Sequence, residues 1–293
     1  MKIIFRWFGN EDKVTLEKIR QIPVIDGIVS AIYDVPVGQV WSEEIISSLS
    51  TQIKKNNLNF EVVESVPVSE DIKLNTAKAN EHIQAYKENI KRLAKEGVKV
   101  ICYNFMPVFD WLRSELTKDL PDGSNALYYD DATVLSMNPL TSELSLPGWD
   151  ESYDKQGLQD ILRSYQNVTE DDLWKNLKLF LDEVIPVCEK YDVKMAIHPD
   201  DPPWGIFGLP RIIINENNYD KFISLNKSLY NGVTFCTGSL GVNPQNDLIK
   251  MINKLKGRIH FAHLRNIKIT GERCFSETAH PSKCGSLDMY AYT

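Results

Sequence analysis

The stretch Gly232-Val-Thr-Phe-Cys-Thr-Gly-Ser-Leu-Gly241 reads as a short β-branched and aromatic strand running into a glycine-bearing loop, with Cys236 where the strand stops. Two other runs end in the same style. Lys194-Met-Ala-Ile-His-Pro199 ends on His198, and Arg258-Ile-His-Phe-Ala-His-Leu-Arg265 ends near His263. Three potential metal ligands, each at the C-terminal end of a different strand, are what a barrel enzyme uses to assemble a site from remote pieces of chain. The chain between successive ligands has room for one loop and one helix, about the minimum for a parallel crossover.

Towards the N-terminus the same alternation continues. Strands are expected at Lys2 to Phe8, Gly27 to Ile32, Phe60 to Val66 and Lys99 to Phe105. Helices are expected at Val14 to Ile22, from an N-cap at Ser42 to about Asn57, and along Ile83, Tyr86, Ile90 and Leu93 to a stop at Gly97. A further helix starts at Thr169-Glu-Asp-Asp172, with Pro186 expected to kink it. Tyr219 to Leu229, a helix opened by Asn243-Pro244, and a first turn at Leu287 to Tyr290 complete the set. Two stretches break the rhythm. Residues 106–168, with Phe109, Trp111, Tyr128, Tyr129 and Trp149 and turns at Pro121-Asp-Gly123 and Pro147-Gly148, read as an irregular insertion over the mouth of the barrel. A second insertion spans 266–285, and nothing in it reads as a strong strand. Repeated β-then-α units favour a parallel sheet. No strand runs into G-x-G-x-x-G or a P-loop, so the expectation is an α/β, TIM-type (β/α)8 barrel, one domain over residues 1–293, of which about seven strands are in the text.

The length suits that reading, since single α/β barrels run near about 250 residues. A net charge of −7 recommends neither nucleic acid nor an anionic membrane as partner. The five cysteines, Cys102, Cys188, Cys236, Cys274 and Cys284, are scattered and never in a C-x-x-C pair. That points to a reducing, cytoplasmic setting. No window approaches a transmembrane span.

Each candidate has a plain alternative. Cys236 is either a small core residue or a ligand. His198 is either a capping or core histidine, or a ligand whose imidazole Asp200 or Asp201 orients. His260 and His263 point to opposite sides of their strand; His263, nearer its end, is preferred and His260 taken as structural. His82 is expected on the surface and His280 in a loop. Arg6, Asn104 and Arg265 are polar groups at strand ends. An Arg there needs an anionic partner, which a bound carboxylate or a structural Asp would supply.

These pieces, with Arg6-Trp-Phe-Gly9, Pro36-Val-Gly-Gln-Val-Trp41, Cys102-Tyr-Asn-Phe-Met-Pro-Val-Phe-Asp-Trp111, His198-Pro-Asp-Asp-Pro-Pro203, Phe235-Cys-Thr-Gly-Ser239, Phe261-Ala-His-Leu-Arg265 and Ser286-Leu-Asp-Met-Tyr290, resemble the mannonate dehydratase family in order and spacing. The resemblance implies a xylose-isomerase-like barrel that dehydrates D-mannonate, a small sugar acid, to 2-keto-3-deoxy-D-gluconate in hexuronate breakdown. It implies His198, Cys236 and His263 as ligands of Mn²⁺ or Fe²⁺, ahead of the Zn²⁺ that soft donors would favour. It also implies Arg6, Asn104 and Arg265 as substrate-holding residues. A homodimer is compatible with it. Two departures stand out. Ser276 takes the place where the family often has a histidine. The family's last strand, Arg-Pro-Asp-His-Gly-Arg, with its presumed fourth ligand and acid/base, does not occur here. The catalytic acid/base is therefore unassigned, and impaired activity is expected. The alternatives are a sugar isomerase or epimerase on the same barrel, against which Cys236 argues, and an inactive remnant.

Overall fold

A parallel strand covered on both faces is apolar along its length, and several strands of the main sheet are of this kind. The structure is a computed structural model and describes residues 1–137, 139 and 155–293. Its strands are β1 (Ile4–Arg6), β2 (Gly27–Ser30), β3 (Asn59–Glu64), β4 (Val100–Tyr103), β5 (Glu115–Asp119), β6 (Asn125–Asp130), β7 (Lys194–Ile197), β8 (Asn231–Cys236), β9 (Ile259–His263), β10 (Ile267–Gly271) and β11 (Cys274–Glu277). Seven form one sheet in the order β1-β2-β3-β4-β7-β8-β9, and the pairings from β1 through β8 are parallel. Four form a second sheet, β10-β11-β6-β5, all antiparallel. The residues fall into two compact units.

The first unit comprises Met1–Asn104, Asn176–Ile197 and Asn226–Val233. β2 is buried at every position, and Val63, Ile101, Met195, Ala196 and Ile197 have no exposed surface. The helix Glu43–Lys55 starts where Ser42 Oγ accepts the Ile45 N–H at 3.2 Å. Glu43 and Glu44 in its first turn and Lys54 and Lys55 in its last complement the helix dipole. Helix Ala79–Lys95 buries Ile83, Tyr86, Ile90 and Leu93, and Gly97 follows it at φ +99°, the left-handed turn a side chain would strain. Helix Glu170–Tyr191 carries Pro186 in its interior as one continuous element. Its apolar face, Leu177, Phe180, Leu181 and Val184, is fully buried, with Phe180 edge-on to Tyr86 at 5.0 Å.

The second unit comprises Phe105–Lys175, His198–Leu225 and Thr234–Thr293. Here the structure corrects the expectation of two irregular insertions. The described part of 106–168 contains β5, β6 and the helices Asp131–Ser136 and Lys155–Ser164, and 266–285 contains the hairpin β10–β11. Strand β11 pairs with β6, setting Phe275 opposite Tyr129, whose rings stack at 5.4 Å. Trp204 closes the cluster, its indole N–H donating to the Tyr129 hydroxyl at 3.1 Å. Trp149 and Pro147-Gly148 lie outside the described residues. The last two helix expectations also shift. Asn243-Pro244 lies in a turn, and the helix starts at Leu248, capped by Asp247 accepting the Lys250 N–H at 3.0 Å. The final turn is a 3-10 helix, Met289–Tyr292. Among the described residues no helix is long and apolar enough to cross a membrane.

Candidate metal centre

His198 follows the last residue of β7, Cys236 is the last of β8, and His263 the last of β9. These strands are neighbours in the sheet, so their ends deliver the three side chains side by side. One donor atom from each lies within 4.8 Å of the others. His198 Nε2 is 3.1 Å from His263 Nδ1. His198 Nδ1 is 2.7 Å from the Pro199 carbonyl, which can only accept, so Nδ1 holds the proton and Nε2 turns its lone pair inward. This carbonyl orients the imidazole; the expectation that Asp200 or Asp201 does so is corrected. Asp200 accepts the Ile212 and Ile213 N–H groups, both at 2.8 Å, and burial holds its carboxyl above the usual range despite nearby Arg211. His260 is not part of the group.

Cys236 is 1% exposed. Burial alone would push its thiol up, but Arg265 and the two imidazoles outweigh that and hold it well below its ordinary value. Ser239 Oγ donates to its sulfur at 3.2 Å. Thr237 ties the exits of β8 and β9 together. Its Oγ1 accepts the Arg265 N–H at 2.9 Å and lies 3.2 and 2.9 Å from the His263 and Arg265 carbonyls.

Arg265 belongs to a charge ring that sequence reasoning missed. Its NH2 donates to Asp201 at 2.6 Å and to Ser239 Oγ at 3.1 Å, and its NH1 to Glu277 at 2.9 Å. Arg113, with no exposed surface, is bidentate on Asp201 at 2.8 and 3.0 Å and reaches Glu277 at 3.1 Å. Desolvation would raise the Asp201 carboxyl; the two guanidiniums outweigh it and hold it far below the usual carboxylate range.

The structure thus groups His198, Cys236, His263 and Arg265. Arg6 and Asn104 belong to the first unit, at or just past the carboxyl ends of β1 and β4. There Arg6 donates to Glu64 at 2.8 Å and to the Tyr33 hydroxyl at 3.3 Å. His82 is not on the surface but half-buried, 2.7 Å from Ser69 Oγ. His280 contacts the Leu264 carbonyl from its loop, and Ser276 is buried in β11.

A thiol biased towards thiolate and two converging imidazole nitrogens fit a divalent transition metal and leave coordination positions for substrate or water. The comparisons agree. All of residues 1–293 matches the family described as D-mannonate dehydratase (UxuA). The chain belongs to that family. Mannonate dehydratase 2 of Halalkalibacterium halodurans is 52% identical over 99% of this chain and 85% of its own length. The crystal structure of mannonate dehydratase from Streptococcus suis serotype 2 superposes with a TM-score of 0.92 at 44% identity, over 99% of this chain and 80% of that one. A xylose isomerase domain protein from Planctomyces limnophilus, at 9% identity and a TM-score of 0.54 over 100% of this chain and 83% of that one, shares the fold alone. Family and neighbours place the fold in the TIM-type α/β class, and the family implies a divalent-metal-dependent enzyme.

Proposed function

We propose that this chain is a hydro-lyase that dehydrates D-mannonate. The observation that carries the reading is a family match over the whole chain whose metal-ligating residue types, His198, Cys236 and His263, converge at three adjacent strand ends. Loss of the C2 proton and the C3 hydroxyl from a 2,3-dihydroxy acid gives an enol, which tautomerises to a 2-keto-3-deoxy acid. The C2 proton is weakly acidic, because its removal places a second negative charge beside the carboxylate. An ion held by the three donors would supply Lewis-acid stabilisation of that charge. Family resemblance supports Mn²⁺ or Fe²⁺, although thiolate and imidazole together would by themselves suit zinc. Arg6 and Asn104 are proposed on the family resemblance to help hold the substrate; both stand at or just past the carboxyl ends of parallel strands, where such folds bind ligands. Arg6 arrives pre-oriented by Glu64 and Tyr33, which limits the ordering cost of binding. The five free cysteines support a reducing compartment, and the acidic chain supports a small-molecule partner over nucleic acid or membrane.

The test is keto-deoxy acid formation from D-mannonate with added Mn²⁺ or Fe²⁺, repeated after chelation. Product that requires metal supports the reading. No product with either ion, or an epimerised sugar acid formed without loss of water, overturns it.

A further inference from the structure

The tripeptide after Cys236, Thr237-Gly238-Ser239, is occupied with one side chain. Thr237 Oγ1 pins the Arg265 backbone at 2.9 Å. Ser239 Oγ accepts from Arg265 NH2 at 3.1 Å and donates to Cys236 Sγ at 3.2 Å. Gly238 makes room between them: a Cβ there would fall on Arg265 Nε and lie 2.9 Å from Cζ. On the far side, Asp201 and Glu277 hold the two terminal nitrogens of the same guanidinium. With Arg113 the ring contains two guanidiniums and two carboxylates, so its charges balance without a substrate.

We propose that Arg265 is a positioning residue for Cys236, acting through Ser239 to fix the sulfur as a metal ligand, and not the clamp for the substrate carboxylate. The proposal rests on the metal-site reading above. Arg265 is locked by three oxygens and aimed at the sulfur side. Both of its terminal nitrogens are committed to carboxylates, so a substrate carboxylate would have to compete with Asp201 and Glu277 for its charge. Cys-Thr-Gly-Ser is then one device: a ligand, a backbone pin, a gap and a relay hydroxyl.

The test uses the full chain, stripped of metal, titrated with Co²⁺ alone and followed by its thiolate-to-cobalt charge-transfer band. KM for D-mannonate is measured separately at saturating Mn²⁺. Arg265→Lys removes the fork. Gly238→Ala keeps the arginine but fills its place, and the added methyl meets a side chain that can move rather than backbone. Ser239→Ala removes the relay. Each is expected to weaken Co²⁺ binding by about 10–100-fold, the range for groups that orient a metal ligand, and to shift the band, with KM near wild type. Arg265→Lys with unchanged Co²⁺ affinity and band but a raised KM would make Arg265 the substrate clamp and overturn the proposal. If Gly238→Ala alone fails to fold, the Arg265→Lys and Ser239→Ala pair decides by the same readouts. Wild type that binds no Co²⁺ would overturn the metal-site reading itself, and the proposal with it.

Discussion

Asp201→Asn should cost this protein about 3 kcal/mol of stability near neutral pH. Asp201 accepts three of the five charged hydrogen bonds in the ring, two from Arg113 and one from Arg265, with Glu277 accepting the other two. Asparagine keeps the shape and one carbonyl acceptor but removes the charge. Two guanidiniums, one of them fully buried, would then share a single carboxylate. Breaking a buried pair from one side typically costs about 3–5 kcal/mol, and the retained acceptor argues for the lower end. The pH dependence has a definite sign. The folded-state carboxyl of Asp201 titrates far below its unfolded value of about 3.9. Its contribution is therefore complete above about pH 4 and is lost as pH falls towards the folded value. Urea unfolding followed by tryptophan fluorescence, on wild type and variant at neutral pH and at about pH 3, measures both quantities. The gap should be large at neutral pH and narrower in acid. A gap under about 1 kcal/mol at neutral pH, or one that ignores pH, would show that the ring does not carry the energy assigned to it.

Cys236→Ser should abolish stoichiometric metal in the purified protein, whereas Cys188→Ser, which alters a thiol buried in a helix, and Cys274→Ser, in β11, should leave it intact; metal analysis of the three variants decides. Arg6→Lys should raise KM for D-mannonate while moving the urea midpoint little, because its part-exposed pair with Glu64 is worth at most about 1 kcal/mol and a point charge does not replace a planar fork. A KM equal to wild type would make Arg6 a structural residue only. Phe180→Ala should destabilise by about 3–5 kcal/mol, read from the same unfolding curves, since the ring is fully buried and packs on Tyr86; a loss below about 1 kcal/mol would contradict the packing described.

What could be read in the sequence followed from local physics. Strands β2, β4, β7 and β8 are buried along nearly their whole length, so they appear as apolar runs, and the ligands appear at the ends of β7, β8 and β9 because neighbouring strands of one sheet bring their ends together. The helices announced themselves through Ser42, Gly97 and the spacing of Ile83, Tyr86, Ile90 and Leu93. Strands β5, β6, β10 and β11 gave no such sign. β5 is almost wholly exposed, and β10 after its first residue entirely so, which leaves no alternation to detect. Phe275 and Tyr129 become a strand pair only through each other, across more than a hundred residues of chain. The ring was hidden for the same reason, since Arg113, Asp201, Arg265 and Glu277 come from four separate segments. One signal was present: an Arg at the end of a strand demanded an anion, and the choice between a bound carboxylate and a structural Asp stood open. Asp201 and Glu277 now supply that anion from within the chain. The division of labour that results is physical. Rigid parallel strands set the donor atoms, whose spacing a metal would test to tenths of an ångström. The remaining charges tolerate more variable loops and hairpins, because a charged ring is held by several contacts at once and no single one has to be exact. A change in β11, remote in sequence from every ligand, should therefore reach Cys236 through Glu277, Arg265 and Ser239, whereas an equally large change on the exposed β5 should not.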